Sequence, residues 1–132
     1  MNLEIINIAS ETNNNKDLIN YTHYSKLKNS LCGDQIKIKL IIENNRITDF
    51  GYQTNSCVYC QASANILSKI SINNTKNKIK RLCDKAKLYF DDNVQIKEVK
   101  WKSLKKLFKK EHISRKDCIL LPFKTLKKIV KD

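Results

Sequence analysis

The chain has 132 residues, 41% of them hydrophobic and 30% charged. That is enough for one domain burying roughly two-thirds of its unfolded surface, with no room for a second core, and too apolar for a disordered tail. No run approaches the roughly 18 apolar residues of a membrane span. The net charge of +13 lies almost wholly in the second half: residues 1–75 hold 7 basic against 6 acidic side chains, residues 76–132 hold 19 against 7. Only three of the 26 basic residues are arginine, whereas base reading favours guanidinium forks. The basic half therefore reads as solvated helix faces or a surface for an acidic protein partner, and the composition argues against a nucleic-acid role.

Residues 2–11 place Leu3 and Ile6, with Ile5 or Ala9, near one helical face, and Thr12-Asn13-Asn14-Asn15 breaks that pattern. Tyr21 to Lys28 reads as a strand with His23, Ser25 and Leu27 on one face. Gln35 to Glu43 alternates Ile36, Ile38, Leu40 and Ile42 against Lys37, Lys39 and Ile41, a half-buried strand. Asn44-Asn45 makes a hairpin turn, because asparagine tolerates positive φ. Arg46 to Asn55 returns as a third strand, where Gly51 marks a bulge or a close approach. After Cys57 the period becomes helical through Ala62, Ile66, Leu67 and Ile70, ending at Asn73-Asn74-Thr75. Lys78 to Phe90 is a second such helix, closed by a turn at Asp91-Asp92-Asn93. Val99 to Lys110 offers Trp101, Leu104, Leu107 and Phe108. Arg115 to Val130 carries Ile119, Phe123, Leu126 and Val130, with Pro122 either starting or kinking the helix. Helix, three-stranded antiparallel meander, then helices is an α+β order, and residues 1–132 are expected to form a single domain.

Five cysteines, an odd count with no basic leader before an apolar run, point to a reducing, cytoplasmic setting rather than a disulfide framework. Three sit where the chain changes character. Cys32 opens Cys32-Gly33-Asp34 just before the second strand, with a glycine that lets backbone approach an ion and a carboxylate two positions on. Cys57 stands at a strand-to-helix junction, where amide groups and the helix dipole favour a thiolate. Cys118 begins the last amphipathic segment beside Asp117 and three residues after Arg115, which also favours a thiolate. Soft thiolates with one carboxylate are the ingredients of a metal or cluster site. Cys83, beside Leu82 in a helix, reads as a buried core thiol. Cys57 and Cys60 form an isolated Cys-x-x-Cys, half a zinc knuckle or a redox pair. His23 and His112 lack a neighbouring ligand and read as surface or structural residues.

Leu31-Cys32-Gly33-Asp34, then Cys57 ahead of Gln61-Ala62-Ser63-Ala64, then Ser114-Arg115-Lys116-Asp117-Cys118 resemble the U-type iron–sulfur cluster scaffold family, the group of IscU, SufU and the NifU N-terminal domain. The resemblance runs from about Asn20 to Lys131. Twenty-four residues separate Cys32 from Cys57 and 60 separate Cys57 from Cys118. The longer gap is similar to the SufU-like branch, with residues near 75–95 as its extra segment, and the Leu-Pro-Pro-Val-Lys chaperone motif of IscU is absent.

The resemblance implies a three-stranded antiparallel sheet against four to five helices, and Cys32, Asp34, Cys57 and Cys118 as ligands. Their cargo would be a transient iron–sulfur cluster of [2Fe–2S] type, or Zn2+. It implies a pyridoxal-phosphate cysteine desulfurase as persulfide donor, acceptor apoproteins as recipients, and no enzymatic activity of the chain's own. Arg115 matches a SufU-like arginine near the site, which implies charge compensation. Asp117 departs from IscU, where a histidine precedes the third cysteine, and Cys60 stands where typical members carry a small residue. A zinc-dependent sulfurtransferase accessory on the same fold is the alternative; a basic zinc protein that binds nucleic acid is a distant one, needing salt-dependent DNA binding.

Overall fold

The computed structural model describes residues 3–92 and 99–131. Its sheet is an antiparallel meander of β1 (His23–Lys28), β2 (Gln35–Glu43) and β3 (Arg46–Asn55), in that spatial order. Alternation decides its orientation: Ile36, Ile38 and Leu40 are sealed in the core, while Lys37 and Lys39 stay partly open on the other face. Ile38 pairs with Tyr52 and Leu40 with Phe50 across the β2–β3 register, so the buried face is continuous. Asn44 and Asn45 adopt φ of 52° and 63° and close the hairpin as their side chains allow. Gly51 marks a close approach rather than the bulge. A β-carbon there would lie 2.9 Å from the Lys16 carbonyl oxygen, and the register shift falls at Ile41/Ile42 instead. The Thr12–Asn15 break is also structured: the Tyr52 N–H donates to the Asn14 carbonyl, at 3.0 Å.

Helix α1 (Leu3–Ala9) differs from the expected face. Ile5 is buried with Ile8 and Ala9 packed on the core, an i, i+3, i+4 stripe, while Leu3 is 73% exposed. Helix α2 (Val58–Ser71) buries Ala62, Ser63, Ala64, Ile66 and Leu67. Its small residues let α4 (Lys116–Val130) come close enough for Ser63 Oγ to donate to the Ile119 carbonyl at 2.6 Å. Helix α3 (Lys76–Asp92) buries Ile79, Leu82, Cys83, Ala86 and Tyr89, as its period requires. The expected turn residue Asn93 and the side chain of Trp101 fall outside the described part of the structure.

Two findings correct the sequence reading of the second half. Val99–Lys106 is a 3-10 segment rather than the α-helix expected over residues 99–110, and a second 3-10 segment spans Lys110–Arg115. Leu104 and Leu107, three residues apart and both buried, satisfy a three-residue turn. Pro122 does not start α4, which rules out one of its two expected roles; it lies inside a helix that begins six residues earlier, at Lys116. A proline in that position withholds the amide that the Cys118 carbonyl would accept, at a usual cost of ~3 kcal/mol. Burial of Ile119, Leu120, Leu121, Phe123 and Leu126 on the same helix offsets it. Tyr89, Phe90, Phe108 and Phe123 form an aromatic chain with centroids 4.9–5.5 Å apart, which locks α3 to α4. Among the described residues no helix is long and apolar enough to cross a membrane.

Candidate metal centre

The β1–β2 loop aims its two candidate ligands, Cys32 and Asp34, differently. Asn29 organises it: its carbonyl accepts from the Gly33 N–H at 2.8 Å, its side-chain oxygen from the Leu31 N–H at 2.9 Å, and its own N–H donates to the Asp34 carbonyl at 2.7 Å. Gly33 closes this turn at φ +79°, a conformation that glycine alone adopts without strain. The result leaves Cys32 exposed at the tip and turns Asp34 inward, to 8% exposure. Cys57, half-buried, is the N-cap residue of α2, but its side chain makes no capping bond. Cys118 lies in the first turn of α4, 7% exposed.

These placements converge. One ligand atom each from Cys32, Asp34 and Cys118 lies within 4.8 Å of the other two, and among the described residues no other group of three or more such side chains does so. Cys57 stands outside that trio yet touches it twice. Its N–H donates to Asp34 Oδ1 at 3.3 Å, and its thiol is close enough to that of Cys118 to raise the Cys118 pKa. Of the four sequence-derived ligands, the structure therefore brings three together and sets the fourth against two of them.

Asp34 Oδ2 is buried without a hydrogen-bond partner. A carboxylate oxygen left so is costly unless a proton or cation meets it. Three soft sulfurs beside one hard oxygen fit Zn2+ or an iron–sulfur cluster. Cys118 departs from the thiolate expected of it. Burial, then the Cys57 thiol, then the negative charges of Cys57, Asp34 and Cys32 push its pKa well above the ordinary thiol value. Nearby Arg115 does not reverse this, because its guanidinium lies over the Tyr59 ring at 5.6 Å. A cation entering the site would displace that proton, making uptake pH-dependent.

The remaining candidates fall elsewhere. Cys60 is fully buried on α2, with its sulfur 4.0 Å from Thr54 Oγ1; desolvation pushes its pKa up to about 12. Cys83 is a core thiol, as its helical position suggested, and burial likewise raises it to about 12. His23 Nδ1 is 2.8 Å from Thr22 Oγ1, away from the cluster. Asp117 instead lines a surface groove of about 300 Å3 with Leu27, Lys28, Leu31 and Lys124. Sequence reasoning missed Tyr59 as a bridge. His112, 4% exposed with Nε2 unpartnered, meets the Tyr59 ring at 5.3 Å, and Arg115 covers the same ring. Only the position of Tyr59, two residues after Cys57, could have hinted at this.

The family model described as the NifU-like N terminal domain matches residues 7–87. An uncharacterized protein of Borreliella burgdorferi is 36% identical over 120 residues, covering 91% of this chain and 76% of that protein. The iron–sulfur cluster assembly scaffold protein IscU of Thermotoga maritima is 30% identical over 105 residues, covering 79% and 73%. Among solved structures, a scaffold protein of the SUF system from Fervidobacterium islandicum superposes with a TM-score of 0.90 at 21% identity, covering 98% of this chain and 96% of its own. The N-terminal part of a NifU-like protein from Brucella abortus gives 0.89 at 19%, covering 98% and 91%. At those identities the structures speak for the fold alone.

Proposed function

We propose, since this chain belongs to the NifU-like N-terminal domain family, that residues 1–132 act as one iron–sulfur cluster assembly scaffold. In this reading the chain receives persulfide sulfur from a cysteine desulfurase and holds a transient cluster, or Zn2+, on Cys32, Asp34, Cys57 and Cys118. The observation that carries it is the convergence of Cys32, Asp34 and Cys118 around a buried, unpartnered carboxylate oxygen.

The parts have separable tasks. Exposed Cys32 is the ligand a donor can reach first, and Asp34 is the hard, exchangeable arm among soft ligands. Cys118 and Cys57 tie the arm to α4 and α2, so occupancy clamps the sheet to two helices and adds to stability. The rim suits a protein partner: Leu31, beside Cys32, is 85% exposed and lines the adjoining groove with Lys28 and Lys124. An apolar anchor beside lysines suits a donor that presents acidic groups.

Anaerobic purification followed by metal and acid-labile sulfide analysis tests the reading. Iron with matching sulfide supports the scaffold. Zinc without sulfide would instead favour a zinc-holding relay of persulfide on the same residues.

A further inference from the structure

The Cys-x-x-Cys of residues 57–60 is not absorbed by the ligand set, because Cys60 lies outside the converging trio and is fully buried. Resting on the sulfur-accepting reading above, we propose that Cys57 and Cys60 form a dithiol pair that reduces sulfur carried on Cys57 and releases it as sulfide.

Three observations lead there. Cys57 is the N-cap of α2 and Cys60 its third residue. Helix geometry sets α-carbons three positions apart at about 5 Å, inside the roughly 4.4–6.8 Å window of a disulfide. The Cys60 sulfur also faces the junction that Cys57 belongs to: it lies 4.0 Å from Thr54 Oγ1, whose hydroxyl donates to Oγ of Ser56, the residue before Cys57, at 2.7 Å. Finally, burial keeps Cys60 from external electrophiles, whereas Cys57 is half-open. An outer thiol at a helix start with an inner one a turn later is the arrangement by which dithiols reduce a bound sulfur species.

The need for such a step is chemical. A persulfide carries its outer sulfur two electrons above sulfide, and a cluster is built from sulfide. With Cys57 as persulfide, the Cys60 thiol gives its proton to the outer sulfur as its own sulfur attacks the inner sulfur of Cys57. The bond to the outer sulfur breaks, a Cys57–Cys60 disulfide forms, and the outer sulfur leaves as hydrogen sulfide. Two thiols are oxidised by two electrons, one sulfur is reduced by two, and no other reactant enters. Release occurs beside Cys118, at the place where a cluster would be assembled. A small dithiol reductant then resets the pair.

The test uses metal-free, reduced protein freed of reductant, loaded briefly with inorganic polysulfide, desalted, and followed for sulfide release and by peptide mass spectrometry. The expected result is sulfide release about tenfold greater in the unmodified protein than in Cys60→Ser. A Cys57–Cys60 disulfide should form in the former, and one added sulfur should persist on Cys57 in the latter. Cys60→Ala repeats the comparison, with thermal melts confirming that both variants fold. Release from the variants equal to that from the unmodified protein, a disulfide from Cys57 to Cys32 or Cys118 instead, or no added sulfur on Cys57 in either variant overturns the proposal. Because no metal is present, those outcomes leave the scaffold reading standing on its own metal and sulfide analysis.

Discussion

Replacing Asp34 by alanine separates what the carboxylate does for the fold from what it does for the cargo. In the metal-free protein its Oδ2 is buried without a partner, a state that costs about 1–3 kcal/mol. Its Oδ1 accepts one long hydrogen bond, from the Cys57 N–H at 3.3 Å, worth about 0.5–1.5 kcal/mol. Removal should therefore leave metal-free stability unchanged or raise it by up to about 2 kcal/mol, which for a domain of this size is up to roughly 8 °C in Tm. Loaded protein should respond differently. Three sulfurs remain, the hard oxygen arm is gone, and a bound cluster should leave more slowly while transfer to an acceptor falls. Differential scanning fluorimetry on metal-free protein and the decay of the cluster's visible absorbance on anaerobically reconstituted protein give the two readings. A folded Asp34→Ala variant that loses its cluster faster than the unmodified protein would refute the exchangeable-arm argument. A drop of several degrees in metal-free Tm would refute the view of Asp34 as a ligand waiting for a cation.

Cys60 and Cys83 hold their protons to about pH 12 in the fold, against 9.0 for an ordinary thiol, and burial raises Cys118 as well. Between pH 9 and 12 the folded state thus binds more protons than the unfolded one. Each such thiol should lower metal-free stability by about 1.4 kcal/mol per pH unit there and have no effect below pH 9; Tm against pH, with Cys83→Ser showing a shallower fall, checks the sign. Gly51→Ala should destabilise by about 1–3 kcal/mol, since its new carbon would press on the Lys16 carbonyl at 2.9 Å. Gly33→Ala meets open space but keeps φ at +79°, so urea melts should show a loss of about 1 kcal/mol from backbone strain alone. Alanine at Cys32, Cys57 or Cys118 should abolish stimulation of a desulfurase, while Cys83→Ala should keep it and lose only about 1 kcal/mol of stability. The stimulated rate should fall as salt rises, because rim lysines act on encounter. An inactive Cys83→Ala beside a normal Cys118→Ala would mean that the wrong cysteines were chosen.

The meander was legible because its signals are local and strict. A strand facing a core must alternate, and Ile36, Ile38 and Leu40 leave one way to turn β2. Helical faces were less legible where apolar residues crowd. In α1, Leu3, Ile5, Ile6 and Ile8 fit two neighbouring stripes, and only the docking of α1 on α2, seen in Asn65 Nδ2 donating to the Ile8 carbonyl at 3.1 Å, selects Ile5 over Leu3. Pro122 left two readings open for a related reason. Local chemistry lets a proline start or kink a helix, and the first fails because α4 is the helix on which the core closes, where burial on nearly every side outweighs one missing hydrogen bond.

The site divides in the same way. Cys32, Asp34 and Cys118 stood out in the sequence because each lies where an element begins or ends, and the structure brings their ligand atoms within 4.8 Å of one another. The relation between Cys57 and the trio did not, since it depends on where the β3–α2 junction meets the β1–β2 loop, a contact between residues 23 positions apart. The sign of the Cys118 shift was illegible too. Arg115, three residues before it, promised a thiolate, but tertiary packing lays the guanidinium on Tyr59 while burial and neighbouring acidic groups act on the thiol. Proximity in sequence predicted the charge, and packing reversed its effect. In the scaffold reading proposed above, that reversal suits a site that is filled and emptied. A proton held on Cys118 keeps the metal-free cluster of acids from repelling itself apart, and an incoming cation has only to displace it.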